Sequence, residues 1–204
     1  MKKLMNELEN IANKDKAKIY QRFFKTGKGD YGEGDIFLGI TMPHLRKTIS
    51  NHLTLTINQL QELLDSSIHE HRMASLLIAT KQFPNNPKKI FNFYIKNAKK
   101  INNWDLVDVT SPHIVGKYLL NKKQERKTIY QLAKSNNLWE KRIAIISTYA
   151  FIRNNQFEDT LKISKILLND KHDLIHKAVG WMLREVGKRN QEIEEQFLKQ
   201  HYKQ

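Results

Sequence analysis

"HEHRMASLLIA" (69–79), "WEKRIAIISTY" (139–149) and "LIHKAVGWMLR" (174–184) align without a gap. Each carries apolar side chains at helical spacing. Their starts differ by 70 and 35 residues, so another copy is expected at 104, where "WDLVDVTSPHI" stands. The preceding residues agree as well, "INNW" ending at Trp104 and "NNLW" at Trp139. Helical segments recurring about every 35 residues are the mark of an α-solenoid, in the range of HEAT and TPR repeats. One repeat cannot bury its apolar face alone, so neighbouring helix pairs must stack into a continuous core.

The rest of the chain fits that reading. Only eight Gly and four Pro punctuate 204 residues, and Val, Ile and Thr form no sustained alternating run, so strands are not supported. The spacing predicts helices over 2–25, 43–51, 56–65, 68–82, 87–100, 103–119, 123–134, 138–153, 157–168, 172–188 and 190–202. The expected architecture is all-α, a single curved domain spanning 1–204. N-terminal helices and a Gly-rich loop (25–35) come first, and HEAT-like repeats run from residue 56 onward.

Composition narrows the function classes. A chain with 40% hydrophobic and 27% charged residues can build a folded core. No apolar run reaches the length of a membrane span, and "MKKLMNELEN" lacks the apolar stretch of a secretion signal. A cytoplasmic location and no membrane partner are expected. The absence of cysteine removes disulfides, thiolate metal sites and thiol nucleophiles. Lys and Arg outnumber Asp and Glu 35 to 21, and a net charge of +14 favours a polyanionic partner such as nucleic acid.

The repeat gives each position an internal expectation. Its fifth position holds Met73, Asp108, Ile143 and Ala178, and its eighth holds Leu76, Ser111, Ile146 and Trp181. Asp108 and Trp181 depart from their register. Trp104 lies one helical turn before Asp108, on the same side. A carboxylate on an apolar face costs a few kcal/mol unless it is bonded or paired. Either Asp108 pins a neighbouring loop, or it serves chemistry. If it serves chemistry, Asp108→Asn is expected to hold or raise stability, because a buried amide costs less than a buried charge. The fourth position, Arg72, Val107, Arg142 and Lys177, is cationic in three copies of four.

Two other patterns carry less. Gly27, Gly29 and Gly32 match G-x-G-x-x-G, but they follow the helical "IYQRFF" rather than a strand, which argues against a nucleotide loop. A mobile connection between helices is expected, with Glu33 and Asp35 turned away from phosphate. "HEH" (69–71) is a poor metal pair, because residues two apart on a helix face different ways. His113 follows Pro112 on the Trp104 helix and is a candidate to line or support a site there. No metal and no cofactor are expected.

At "FLGITMPHLRK" (37–47), "NNWDLVDVTSPHIVG" (102–116), "LWEKRIAIIST" (138–148) and "HKAVGWMLREVGKR" (176–189) the chain resembles the HEAT-like-repeat DNA alkylation repair glycosylases, the AlkD family. The resemblance runs over nearly the whole chain in order and spacing. It implies hydrolysis of the N-glycosidic bond of cationic N3- and N7-alkylated purines in duplex DNA, by a monomer that is nucleoid-associated when bound. It also implies that Trp104, Asp108 and Trp181 form the site and that Arg142 grips the backbone. Given the net charge, Lys141, Arg184 and Lys188 join Arg142 as candidate phosphate contacts. Trp139, in the same slot as Trp104, is expected to pack between repeats. Two rival readings are a non-catalytic HEAT-repeat protein recognising DNA structure and a protein-binding helical scaffold. The intact Trp104–Asp108–Trp181 set speaks against the first. Basic residues in the same slots as the site speak against the second, which favours an exposed apolar groove.

Overall fold

A computed structural model describes residues 1–203. In chain order the helices are α1 Lys2–Asn10, α2 Lys14–Phe23, α3 Met42–Ile49, α4 Ile57–Leu64, α5 His69–Gln82, α6 Pro87–Lys96, α7 Trp104–Ser111, α8 Lys117–Leu119, α9 Lys127–Ala133, α10 Leu138–Ser147, α11 Tyr149–Ile152, α12 Glu158–Leu167, α13 Asp173–Gly187 and α14 Gln191–His201. Among the described residues the β pairing is one isolated parallel bridge, Ile36 with Ile68. The fold is an all-α helical repeat. Its internal register is visible in the helix starts, since α5, α7, α10 and α13 begin at 69, 104, 138 and 173. No described helix is long and apolar enough to cross a membrane.

The predicted helix 2–25 is two helices. Asn13 stands in extended backbone between α1 and α2, and its side chain accepts from Lys16 N at 2.9 Å, an N-cap of the kind worth about 1 kcal/mol. Its own N–H donates to Leu38 O at 2.8 Å, so the break is fixed by a segment far along the chain.

The chain forms two compact units, residues 1–93 with 100–106, and residues 94–99 with 107–204. In the first, α5 packs against α4 and α3, and α1 packs against α3 and α5. α5 is buried from His69 to Ala79, polar first turn included. That turn needs partners, and it finds them in the segment before α3. Glu70 accepts from the backbone N–H groups of Leu38, Gly39 and Ile40 at 2.9, 2.8 and 3.1 Å. Gly39 has φ +78°, and a Cβ there would lie 2.2 Å from Asn13 O. Only glycine lets this segment pass so close to the start of α2. Further back, Glu33 accepts from Gly29 N, and Asp35 is buried rather than turned to solvent. The Gly-rich connection is therefore tied down at its exit.

In the second unit α10 packs against α9 and α13, and α13 against α12 and α14. Between α7 and α8 the backbone widens into a π-turn, Pro112–Gly116. A Cβ on Gly116 would meet Ser147 O at 2.2 Å, so glycine sets how near this turn comes to α10. Arg126 fastens the α8–α9 connection, bonding Leu119 O at 3.2 Å and Asp159 at 2.6 Å over the face of Phe151.

Candidate active site

The register outlier Asp108 sits in the second turn of α7, its side chain 14% exposed. It is held by Arg142 of α10: Nε donates to Oδ1 at 2.9 Å and Nη2 to Oδ2 at 2.7 Å. This bidentate fork fixes the carboxylate plane as well as its position. The third arm of Arg142, Nη1, donates to Leu174 O in the first turn of α13 at 2.5 Å. One guanidinium thus ties together α7, α10 and α13. Arg142 is 5% exposed. Its side chain is engaged first with Asp108, a relationship that composition and spacing gave no means of seeing.

This pairing reverses one sequence expectation. Asp108→Asn leaves the buried Arg142 without its counter-charge, and an uncompensated buried cation is costly. The substitution is therefore expected to destabilise rather than to be neutral or stabilising.

Trp181 lies on α13, part-exposed at the repeat position that holds buried Leu76 and Ile146 elsewhere. Its ring lies 6.1 Å from that of Tyr149, at 39°. Its indole hydrogen-bonds Glu185 one turn on. Lys188 first, and the Trp181 indole with it, hold the Glu185 carboxyl below its ordinary range. Lys188 thereby steadies the acceptor that orients Trp181, through a 2.7 Å contact to Glu185. Of the other candidate phosphate contacts, Lys141 is paired with Asp170, and Arg184 is exposed. Trp139 is buried, as expected for packing. His113 lines a cavity of about 350 Å³ with Lys117, Tyr149 and Arg153.

Trp104 opens α7 and belongs to the first unit. Its N–H donates to Asn103 Oδ1 at 2.9 Å. Its ring stacks on Phe24 at 5.2 Å and 23°, and Phe23 meets its edge at 5.9 Å. The stack continues from Phe24 to Phe37 (4.9 Å, 15°) and from Phe37 to His69 (4.4 Å, 22°). These aromatic neighbours went unnoticed in the sequence; "IYQRFF" was their signal. His69 and His71 face different partners, Asp105 at 2.8 Å and Ser66 at 3.1 Å, as helical geometry requires of residues two apart.

The repeat cations also resolve into partners. Arg72 pairs with Asp35 at 2.7 Å, Arg142 with Asp108, and Lys177 with Asp173 at 2.7 Å. Two of these pairs are largely buried, so the recurring basic slot holds structure together as well as contributing to the field.

Residues 4–204 match the family model of the DNA alkylation repair enzymes. No curated protein matches the chain. Among solved structures, the chain is similar to a "Predicted DNA alkylation repair enzyme" from Enterococcus faecalis. The two share 18% identity over 93% of this chain and 89% of that one, with a TM-score of 0.75. At that identity the likeness is one of fold.

Proposed function

Because the chain belongs to the DNA alkylation repair enzyme family, we propose that it is a monofunctional DNA glycosylase hydrolysing the N-glycosidic bond of cationic N3- and N7-alkylated purines in duplex DNA. The observation that carries this reading is the part-exposed Asp108 carboxylate clamped through both oxygens by Arg142. A carboxylate that stays part-exposed beside its arginine, at a register position that is otherwise apolar, suits a chemical role as well as a structural one.

An alkylated purine already carries positive charge, so its departure needs no strong acid. The glycosidic electron pair goes to the base, which leaves neutral, and the sugar becomes oxocarbenium-like at C1′. Asp108 supplies a fixed negative charge for that cation. As a fixed acceptor at the site it orients the attacking water. Water forms the new bond to C1′ and yields its proton by way of Asp108 to solvent. Holding the carboxylate in advance avoids reorganisation as charge develops. Trp104 and Trp181 offer aromatic faces to the cationic sugar, each worth roughly 0.5–2 kcal/mol by analogy with cation–π pairs. Arg142 fixes the carboxylate and brings a positive charge to the same place, and the exposed Arg184 adds positive potential toward the DNA backbone. Incubation with methylated duplex DNA tests the reading. Release of 3-methyladenine and 7-methylguanine, leaving abasic sites and unbroken strands, supports it; tight binding with no base released overturns it.

A further inference from the structure

Asp35, His69, Arg72 and Asp105 form a buried cluster in the first unit that the proposed chemistry does not use. His69 Nε2 meets Asp105 Oδ2 at 2.8 Å, and Nδ1 faces Asp35 Oδ2 at 3.5 Å. Arg72 Nη2 reaches the same Asp35 oxygen at 2.7 Å, though misaligned for a hydrogen bond. The second Asp35 oxygen accepts from Asn102 Nδ2 at 3.0 Å. The contacts close a ring: Asp35 to Asn102, along the backbone through Asn103 and Trp104 to Asp105, then by His69 back to Asp35. Asn103, inside the ring, sits at φ +82°, a left-handed conformation that needs such enforcement. The stack Trp104–Phe24–Phe37–His69 makes a second connection between the same two residues.

Charge balance sets the protonation of His69. Two carboxylates face one guanidinium, so a neutral imidazole would leave an unbalanced buried negative charge. An imidazolium donates from Nε2 to Asp105, holds its charge 3.5 Å from Asp35 at Nδ1, where Arg72 Nη2 also lies 3.5 Å away, and balances the cluster. Burial works against the charged ring, but Asp105 and Asp35 outweigh it and raise its pKa to about 9.

We infer that His69 is a positioning residue for base excision: by bridging Asp105 and Asp35 it fixes the first turn of α7 and the plane of Trp104. This rests on the glycosylase reading only for its kinetic consequence. The structural consequence stands apart from it.

The experiment uses the full chain labelled with 5-fluorotryptophan, whose three tryptophans give three ¹⁹F resonances, assigned by single Trp→Phe changes. His69→Gln keeps one hydrogen bond and loses the charge. The expected result is a shifted or broadened Trp104 resonance, with those of Trp139 and Trp181 unmoved. Single-turnover excision should fall about tenfold to hundredfold, the range for a small misplacement of a reacting group, while the duplex Kd stays within about twofold. A folded His69→Gln with an unchanged Trp104 resonance overturns the inference, as does an unchanged excision rate in an active protein. If the intact protein releases no base, the glycosylase reading fails and the Trp104 resonance alone decides the positioning claim. If His69→Gln does not fold, Asp105→Asn takes its place, since it keeps an oxygen toward Nε2 and removes only the charge. The same two outcomes then support or overturn the inference.

Discussion

Arg142 donates to both oxygens of Asp108, Nε at 2.9 Å and Nη2 at 2.7 Å, and with its remaining arm holds Leu174 O. The pair is at once a structural clamp and, in the proposed mechanism, the setting of the reactive carboxylate. Substitutions at either residue therefore act on stability and on chemistry together, and the two must be measured separately.

Arg142→Ala should lower stability by about 3 kcal/mol, because it strands a mostly buried carboxylate and removes the tie from α10 to Leu174 O of α13. Asp108→Asn should cost less, since the amide oxygen still accepts from one arm of the guanidinium. The double variant should lose less than the sum of the two single losses, the sign of direct coupling. Chemical denaturation of the four proteins checks this; strict additivity would mean that the pair contributes nothing of its own.

Stability should depend on pH through the buried cluster of the first unit. The folded-state pKa of His69 is raised from 6.5 to about 9, so its contribution is fully present below 6.5 and is lost as pH rises toward 9. A rise of that size corresponds to roughly 3 kcal/mol at full loss. Asp35 behaves oppositely. Burial opposes its charge, but His69, the Arg72 guanidinium and the Asn102 amide beside it prevail and lower its pKa from 3.8 to about 2. Its contribution is present above 3.8 and fades as pH falls through 2. The melting-temperature gap between the intact protein and His69→Gln should be widest near neutral or mildly acidic pH and close on approach to 9. A gap constant between 6.5 and 9 would contradict this assignment.

Salt dependence should separate the basic residues by their partners. Arg184 is exposed, whereas Lys141 is tied to Asp170 and is largely covered. Arg184→Ala should reduce the slope of log affinity against log salt by about 1, on damaged and undamaged duplex alike. Lys141→Ala should change the melting temperature more than the slope. Titrations at several salt concentrations read both, and a flat salt response from the intact protein would favour a protein-binding scaffold.

Gly39→Ala should destabilise the protein by about 1–3 kcal/mol, because the residue is held at φ +78° and its new methyl would press on Asn13 O and Ala17 N. Circular-dichroism melting checks it. No loss would mean that the segment before α3 can move away from α2 without cost.

How much of this could be read from the sequence follows from the range of the forces involved. The repeat register isolated Asp108 and Trp181 because apolar periodicity is local, so a polar or oversized residue breaks it visibly. The π-turn after Ser111 stayed inside the predicted helix 103–119, since it changes the backbone without ending the helix. The break at Asn13 was missed, because it depends on Leu38 O as much as on the cap. The cluster of Asp35, His69 and Asp105 joins residues 34 and 36 apart, close to the repeat spacing, but spacing alone does not say that these side chains meet. For Arg142, residue type announced a cation, but only the fold could say that it points first at Asp108.

The central claim is that Asp108 serves the reaction and not only the fold. The most direct test is single-turnover release of 7-methylguanine from a methylated duplex. Intact protein and Asp108→Asn are compared at saturating protein and at a temperature where both are folded. The account predicts a fall of at least about a hundredfold in rate, the typical loss when a fixed electrostatic partner of a developing charge is removed. Duplex binding should be unchanged or slightly tighter. A folded, DNA-bound Asp108→Asn that releases base at the intact rate would contradict the account and leave Asp108 as the counter-ion of Arg142 alone.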